Sequence, residues 1–521
     1  MVVKNKAADR ATLNDLQTPE ATRLQWAGLA VIALPCMLYS MDLTVLNLAV
    51  PALSADLKPS ASQLLWIIDI YGFMVAGFLI TMGNLGDRIG RRRLLLIGAA
   101  AFGVASLLAA FSNSAEMLIA MRALLGIAGA TLAPSTLSLI RNMFHDAKER
   151  TFAIGIWISS YSIGGAIGPV AGGVLLEHFW WGSVFLINVP VMLLLLALGP
   201  LLLPEFRDPS ARRIDPPSVA LSISAVLVTI YGCKQLAEHG IGWLPLASIA
   251  IGLSFGIAFL RRQRLLADPL IELRLFRIAA FRVAIGSYML GCLAMFGTYI
   301  FVAQHLQLVL GLSPMTAGLW TVPWALAFVV GSMLTPVVVA RICKKGTIVI
   351  GLGVAAAGFA LLAWAGSAAG PMGIAVAAVV QSLGLAPVFT LANDLVVGAA
   401  PPERAGAAAA ISETSAELGG ALGIAIFGSI GTAIYRAGML DFAPTGVPPE
   451  LLEAARGTLG AAVDVSRQLQ QEAGAELLAQ SRAAFVLGLQ WTASIAAVAM
   501  LGAALLAARA LKPVTVGGEP T

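Results

Sequence analysis

The sequence has few charged residues and few side chains that could hold a metal or form disulfides. Charged residues make up 12% of the 521, and there are four cysteines and four histidines. The cysteines lack CxxC spacing and the histidines are scattered, so neither a disulfide framework nor a metal site is predicted. No P-loop is found, which argues against ATP hydrolysis within the chain. We therefore expect no enzymatic activity and no cofactor, and any pumping would need an external energy source.

Long apolar stretches are abundant in the sequence. Hydrophobic residues make up 58% of the chain and its mean hydropathy is +0.86, beyond the range of an ordinary soluble domain. Apolar runs of about twenty residues, long enough to cross a bilayer as helices, recur fourteen times. We predict an all-α polytopic membrane protein with fourteen transmembrane helices, a multi-pass protein of the cell inner (cytoplasmic) membrane surrounded by membrane lipids.

The positive charges predict the orientation of these spans. With the N-terminus inside, 26 of the 33 Lys and Arg residues fall in cytoplasmic segments. Six, Lys234 among them, fall outside, and Arg122 lies within a span. This bias follows the positive-inside rule and places the N- and C-termini in the cytoplasm. The sequence pI near 9.1 then reflects topology and indicates no nucleic-acid partner.

A weak internal repeat predicts the domain organisation. The stretch Asp87–Arg92 has an echo in Ala340–Lys345 that keeps every cation, although a chance match of six residues is the alternative. The repeat pairs spans 1–6 with spans 9–14 and leaves spans 7 and 8 as an inserted pair. The predicted parts are a cytoplasmic tail (1–25, without a signal peptide), an N-terminal six-helix bundle (26–203), a cytoplasmic linker (204–216), the inserted helix pair (217–260), a second cytoplasmic linker (261–281), a C-terminal six-helix bundle (282–508) with an external helical hairpin (437–482), and a cytoplasmic tail (509–521).

The turn between spans two and three carries an unusual combination of glycines, one acid and four arginines over residues 83–93. Glycine lets the backbone reverse, and the arginines hold the loop on the cytoplasmic side. An ordinary positive loop would explain the arginines but not the full spacing. We predict a cytoplasmic gate made of Gly83, Asp87, Arg88, Gly90, Arg91 and Arg92.

Ionisable residues within apolar spans are costly and mark candidate functional sites. Asp42, Asp69 and Arg122 lie at similar depths below the predicted outer surface, so they could form one cluster that handles a proton. A structural salt bridge between helices is the alternative. Asp394 lies near the inner end of its span, and we expect an ordinary boundary residue there.

Glu413 and Glu417 are four residues apart and therefore share one helix face. Two acids without a nearby cation in an apolar span suit either a proton relay or an anchor for a cationic ligand. Aromatic faces at Trp66, Tyr161 and Trp324 could add cation–π contacts, with simple packing as the alternative.

Small residues recur in span five, where Gly164, Gly168, Gly172 and Gly173 surround Pro169. Such spacing predicts close helix contact, with a bend at the proline. Packing alone could explain the glycines.

These motifs resemble those of a known family. The turn at Gly83–Arg92 resembles the G-x-L-a-D-r-x-G-r-k signature of the major facilitator superfamily, and Gly164–Gly173 resembles its antiporter signature G-x-x-x-G-P-x-x-G-G. Met41–Leu53 is similar to a signature of drug/proton antiporters with fourteen spans, and Arg122 matches the span-four arginine of that family. The whole chain looks like a quaternary-ammonium efflux pump of the QacA/SmvA type.

The resemblance implies a monomeric multidrug efflux antiporter. Driven by the proton gradient, it would export cationic lipophilic small molecules: quaternary ammonium antiseptics, biguanides and dyes. It implies protonation or cation binding at Asp42, Asp69, Glu413 and Glu417. An extra acid of QacA in span ten has no counterpart near Phe328, so a preference for divalent cations is not implied. The alternatives are a proton-coupled exporter of a dedicated metabolite or peptide, and a membrane sensor or scaffold, against which the buried acids argue.

Overall fold

The described chain is almost entirely helical. The computed structural model describes residues 21–59, 61–207, 215–240, 242–266, 268–368, 370–440, 442 and 447–511, and these contain no β-strand. Most of both predicted tails and residues 208–214 of the first linker lie outside them. The helices are α1 (Arg23–Leu57), α2 (Ala61–Ile89), α3 (Arg91–Ala110), α4 (Ala115–Gly129), α5 (Leu132–Met143), α6 (Ala147–His178), α7 (Ser183–Leu186), α8 (Asn188–Leu202), α9 (Pro216–His239), α10 (Trp243–Leu265), α11 (Ala279–Gln304), α12 (Pro314–Ala368), α13 (Gly370–Ala399), α14 (Ala405–Leu440), α15 (Pro449–Gly457), α16 (Leu459–Ser466) and α17 (Gln471–Ala510).

The described residues include thirteen helical segments long and apolar enough to cross a membrane. The sequence predicted fourteen, and the difference lies in α12. Its apolar stretch Met315–Gly366 covers 52 residues, more than twice the length that one crossing needs. At Cys343 the backbone leaves the helical conformation, with φ 61° and ψ 167°. This kink falls within the echo of the Asp87–Arg92 turn.

The helices up to α8 pack as one group, and α11 to α14 with α17 pack as another. In the first group α1 packs against α6, and α2 and α3 pack against α4. In the second group α11 packs against α14, and α12 packs against α13 and α17. The two groups meet where α2 lies against α14 and α6 lies against α12. Apolar side chains from both groups form one continuous core.

The helices α9 and α10 pack against each other, and α9 also packs against both groups, on α2 and α14. Asp215 begins this pair: it accepts a hydrogen bond from the Ser218 backbone amide at 3.0 Å and pairs with Arg262 of α10 at 2.7 Å. Hydrogen bonds from Arg262 and Ser218 hold the pKa of the Asp215 carboxyl well below its usual range. The pair therefore keeps its charges across the neutral range.

Two short helices, α15 and α16, occupy the segment predicted as an external hairpin, of which residues 441 and 443–446 lie outside the described part. The first of them, α15, folds back onto α14, where the Tyr435 hydroxyl donates to the Ala455 carbonyl at 2.7 Å, and α16 packs against α17. The Arg456 guanidinium donates to the carbonyls of Met439 and Leu440 at the end of α14. These bonds satisfy carbonyls that a helix C-terminus leaves without a partner.

Candidate functional site

The two glutamates of α14 lie where the two groups of helices meet. Glu417 accepts a hydrogen bond from the Tyr39 hydroxyl of α1 at 2.9 Å, and Glu413 accepts one from the Tyr288 hydroxyl of α11 at 3.4 Å. Both carboxylates are half-buried. Because Tyr39 comes from the first group and Tyr288 from the second, the pair contacts both halves of the molecule. Sequence reasoning missed these tyrosines, since nothing local marks them as partners.

An aromatic group lies beside the glutamates. The Tyr39 ring lies 5.9 Å from that of Tyr71 and 5.7 Å from that of Tyr161, and Tyr161 lies 5.0 Å from Trp157, measured between ring centroids. The hydroxyl of Tyr71 is buried and has no hydrogen-bond partner among the described residues. Aromatic faces beside carboxylates suit an organic cation. Of the three aromatic residues predicted for this role, Tyr161 lies in the group.

The other two predicted aromatic residues lie elsewhere. Trp66 is 41% exposed and packs edge-on against Phe73 of its own helix. Trp324 stacks on Tyr299 at 5.7 Å, where both line a separate cavity between α11, α12 and α13. The structure therefore does not bring the three together.

Arg122 and Asp42 form a buried ion pair. Their side chains are 1% and 4% exposed, and the guanidinium donates directly to the carboxylate. The Arg122 Nε also donates to the Ile67 carbonyl at 3.0 Å, and the guanidinium lies 4.8 Å from the ring centre of Tyr71. A planar guanidinium can make these contacts at once, which a lysine cannot. The pair joins α1, α2 and α4.

Asp69 pairs with Lys234 of α9, so the predicted cluster with Arg122 and Asp42 is wrong in this respect. Helix geometry gives the reason. Residues advance 100° each around a helix, so Asp69 lies about 200° from Tyr71, whose ring faces Arg122. Similar depth in the membrane did not imply a shared face. Lys234, assigned from the sequence to an external segment, lies on α9 in this ion pair.

The predicted cytoplasmic gate joins the two halves. Asp87 accepts hydrogen bonds from the backbone amides of Gly406 at 3.0 Å and Ala407 at 2.9 Å, at the N-terminus of α14. It also accepts one from Arg91 at 2.8 Å, and Arg91 donates to the Pro402 carbonyl at 2.6 Å. A carboxylate at a helix N-terminus satisfies free amides and interacts favourably with the helix dipole.

The remaining gate residues make further contacts. Arg88 pairs with Asp268 of the second linker at 3.1 Å, and Arg404 pairs with the same carboxylate at 2.8 Å. Arg92 donates to the Leu203 carbonyl at 2.9 Å. Gly90 has φ 112°, a conformation that favours glycine and allows α2 to end directly before α3. A side chain at Gly83 would begin 2.5 Å from the Gly406 carbonyl, so glycine lets α2 and α14 touch.

Asp394, which we expected to be an ordinary boundary residue, is fully buried in an ion cluster. It pairs with Arg150 of α6 at 2.8 Å and with Lys344 of α12 at 2.7 Å, and Thr151 also donates to it. The position of Asp394 near the end of α13 suggested contact with water, but α6 and α12 cover this side chain. Lys344 belongs to the echo of the Asp87–Arg92 turn.

The glycine motif of α6 brings this helix close to α1 at Gly164. A side chain on Gly164 would begin 2.0 Å from the Met37 carbonyl of α1, whereas one on Gly173 would meet nothing within 4 Å. Gly168 and Gly172 are buried. The side chain of Pro169 lies outside the described residues.

Comparisons with known proteins show the family to which the chain belongs. The sequence matches the family model described as Major Facilitator Superfamily over residues 32–424. It is 44% identical to the multidrug efflux pump LfrA of Mycolicibacterium smegmatis, over 94% of this chain and 97% of that protein. It is 35% identical to the methyl viologen resistance protein SmvA of Salmonella typhimurium, over 91% and 94%. It is also 33% identical to the tetracenomycin C resistance and export protein of Streptomyces glaucescens, over 77% and 75%.

A similar fold occurs in a solved structure, that of the human organic anion transporter MFSD10 (TETRAN). The TM-score is 0.60 at 15% identity, covering 94% of this chain and all of the other. At this identity the likeness concerns the fold alone.

Proposed function

The chain belongs to the Major Facilitator Superfamily, and we propose that it is a proton-coupled antiporter that exports lipophilic cations such as quaternary ammonium antiseptics, biguanides and dyes. It is a multi-pass protein of the bacterial inner membrane, and its relatives include multidrug efflux pumps. The relative named for methyl viologen resistance supports a cationic substrate, because methyl viologen is an organic cation.

The observation that carries the proposal is the glutamate pair of α14. Glu413 and Glu417 sit one helical turn apart with tyrosine hydroxyls as hydrogen-bond partners. Two carboxylates this close repel each other when both are charged, so a proton or a cation stabilises the pair. If the pair binds a proton or a cation but not both at once, proton entry and cation export alternate at one site. Such alternation is the condition for antiport.

Alternating access would rock the two halves about this site. The gate contact of Asp87 with Gly406 and the ion pair of Arg150 with Asp394 join the halves at the ends predicted to face the cytoplasm. This state would release cations outward and admit protons. Breaking both contacts would open the site to the cytoplasm. Arg122, paired with Asp42, would hold α1, α2 and α4 together while the second half moves.

We further propose fourteen crossings with both termini in the cytoplasm. The break at Cys343 divides α12 into two segments, each longer than the twenty residues that one crossing needs. Two crossings there place the cation-rich residues 341–345 on the same side as the Asp87–Arg92 turn, in agreement with the positive-inside rule.

Transport by purified protein in proteoliposomes tests the function. With an imposed pH gradient, protein oriented inside-out should concentrate ethidium or chlorhexidine in the lumen. Protons should leave the lumen as each cation enters it. Collapse of the gradient should stop accumulation. Transport that continues at the same rate without a pH gradient would contradict proton coupling, and the variant with both Glu413→Gln and Glu417→Gln is the matched inactive control.

Export of a dedicated metabolite is the second candidate. The relative named for tetracenomycin C export supports it, because that name describes one natural product. A dedicated exporter should move one compound and leave a panel of unrelated cationic dyes untouched. Competition between ethidium, chlorhexidine and tetraphenylphosphonium for one saturable transport activity would instead support the multidrug proposal.

A further inference from the structure

The second linker, which joins the inserted helix pair to α11, places one carboxylate between the two halves of the molecule. Asp268 pairs with Arg88 of α2 at 3.1 Å and with Arg404, directly before α14, at 2.8 Å. These three side chains and Asp87 line one cavity. Because Arg88 belongs to the first half and Arg404 to the second, Asp268 contacts both halves while it belongs to neither.

Two buried side chains hold this part of the linker in place. The Asn84 side chain of α2 donates to the Leu270 carbonyl at 2.9 Å, and the Leu270 amide donates to the Gln263 side chain of α10 at 2.7 Å. Leu270 is itself buried. Since Asp268 lies two residues before Leu270, these bonds limit where its carboxylate can lie.

The same network reaches the start of the inserted helix pair. The Gln263 side chain donates to the Ser218 hydroxyl of α9 at 2.9 Å, and this hydroxyl donates to Asp215 at 2.6 Å. Hydrogen bonds therefore run from α9 through α10 and the linker to α2. They connect the inserted helices to the cytoplasmic gate, in addition to the packing of α9 on α2 and α14.

Asp268 changes the sign of the electrostatic interaction between the halves at this point. Two guanidinium groups that contact one carboxylate lie close together, and like charges at such a distance repel each other. The carboxylate replaces this repulsion by two attractive contacts. Arg88 and Asp268 are only 11% and 15% exposed, and Nη1 of Arg88 is buried with no hydrogen-bond partner among the described residues. Removal of Asp268 would therefore leave a poorly solvated charge between the halves.

We propose that Asp268 is a positioning residue of the cytoplasmic gate, through which the inserted helix pair holds the two halves together. The inference rests on the proposed function, because it gives the linker a part in alternating access. While the gate is closed, one carboxylate serves both arginines. When α14 moves away from α2, Asp268 stays with Arg88, because the hydrogen bonds of the linker attach it to α2, and Arg404 loses its partner. The linker is then a third part of the gate, beside the direct contact of α2 with α14.

The ratio of gate-closed to gate-open protein tests the proposal. Spin labels on Arg93→Cys and Arg341→Cys, two exposed positions on different halves, report the distance between the halves by double electron–electron resonance. The full-length protein is studied in lipid nanodiscs, with its four native cysteines changed to alanine. Asp268→Asn should lower the closed-to-open ratio by about two- to tenfold, the range for loss of two partly exposed ion pairs. Glu272→Gln neutralises an acid of the same linker that lines the same cavity, and it should leave the ratio unchanged.

A double-mutant cycle with Arg404→Gln tests the bridge itself. In the wild-type background Arg404→Gln removes an attraction to Asp268, so the closed-to-open ratio should fall. In the Asp268→Asn background it removes a repulsion from Arg88, so the ratio should rise. A residue that only supported the local fold would not reverse the sign of this effect.

Three outcomes would overturn the proposal: an unchanged ratio in Asp268→Asn, an equal fall in Glu272→Gln, and an effect of Arg404→Gln of the same sign in both backgrounds. Should Asp268→Asn fold poorly, Arg404→Gln alone provides a second test, in which an unchanged ratio contradicts the bridge.

Export assays separate this inference from the proposed function. A wild-type protein that exports cations, with an unchanged ratio in Asp268→Asn, would contradict the role of the linker alone. Failure of the wild-type protein to couple cation export to protons would contradict the proposed function, whereas the distance measurement would still decide whether Asp268 holds the gate closed.

Discussion

Asp87 accepts a hydrogen bond from the backbone amide of Gly406 at 3.0 Å, so a carboxylate of the first half caps a helix of the second. The Ala407 amide donates to the other carboxylate oxygen at 2.9 Å. These bonds exist only while α2 and α14 are in contact, because the donors and the acceptor lie on different halves. Their free energy therefore stabilises one state of the transporter over the other, rather than the fold of either half.

Asp87→Asn should lower export more than it lowers substrate binding. Asparagine keeps one carbonyl acceptor but loses the charge that interacts with Arg91 and with the N-terminus of α14. Loss of a charge-assisted hydrogen bond of this kind costs about 1.5–3 kcal/mol, so the export rate should fall by about tenfold or more. Initial rates in proteoliposomes and equilibrium dye binding are compared. Arg93→Gln, an exposed cation of the same turn, is the control, and a parallel fall of rate and affinity would contradict the gate role.

Asp394→Asn should destabilise the protein. The change leaves Arg150 and Lys344 without their anion, and breaking a buried ion pair costs about 3–5 kcal/mol. Because Lys344 is 38% exposed and can turn towards water, we expect about 2–4 kcal/mol and a clear fall in the unfolding temperature in detergent. Glu453→Gln, which breaks the pair of a 79% exposed carboxylate with Arg456, should change it little. Equal shifts for the two variants would contradict the structural role of Asp394.

The sequence predicted the helices and the family because both depend on local pattern. Twenty apolar residues must form a spanning helix, since a bilayer offers no other partner for the backbone. Gly83 and Asp87, which were predicted as part of the turn, lie within the last turns of α2, and Gly90 alone separates α2 from α3. The contacts between side chains of different helices could not be predicted in this way. Asp69 has the same depth as Arg122, but its direction around α2 decides which neighbour it meets.

The error at Asp394 has the same cause. A hydropathy profile gives the position of a residue along the membrane normal but not the neighbouring helix that covers it. At Cys343 the cations around the residue predicted a turn between two spans. The structure has a kink at this residue within the long helix α12. The amides of Gly406 and Ala407 had a readable signal: Pro401-Pro402-Glu403-Arg404 precedes an apolar run, which is typical of a helix start.

Gly164→Val should impair export by separating α1 from α6. The Cβ atom would begin 2.0 Å from the Met37 carbonyl oxygen, and a backbone atom cannot turn aside as a side chain can. Overpacking of this kind costs about 1–3 kcal/mol and shifts helices. Export rate and unfolding temperature should both fall. Gly173→Ala lies in the same motif where nothing is within 4 Å, so it should keep both, and loss of export in that control as well would contradict the packing argument.

Neutralising Glu413 should affect different substrates to different degrees, whereas neutralising Asp42 should affect them all alike. Glu413→Gln removes a charge from a half-buried site beside aromatic rings, which can still hold some cations through apolar and cation–π contacts. Dye affinities should therefore fall by different factors, about twofold for large aromatic cations and about tenfold or more for small ones, by the strength of cation–π contacts. Asp42→Asn instead leaves Arg122 buried without its anion, which disturbs α1, α2 and α4 together.

Export of every dye should then fall by a similar factor in Asp42→Asn, because no substrate replaces the missing carboxylate for Arg122. Binding of five dyes and export of the same five are measured on both variants and on wild type, across pH 6 to 8. Glu413→Asp, which keeps the charge on a shorter side chain, is the matched control and should retain more binding than Glu413→Gln for small cations. A uniform loss across dyes in Glu413→Gln, together with a substrate-dependent loss in Asp42→Asn, would reverse the two assignments.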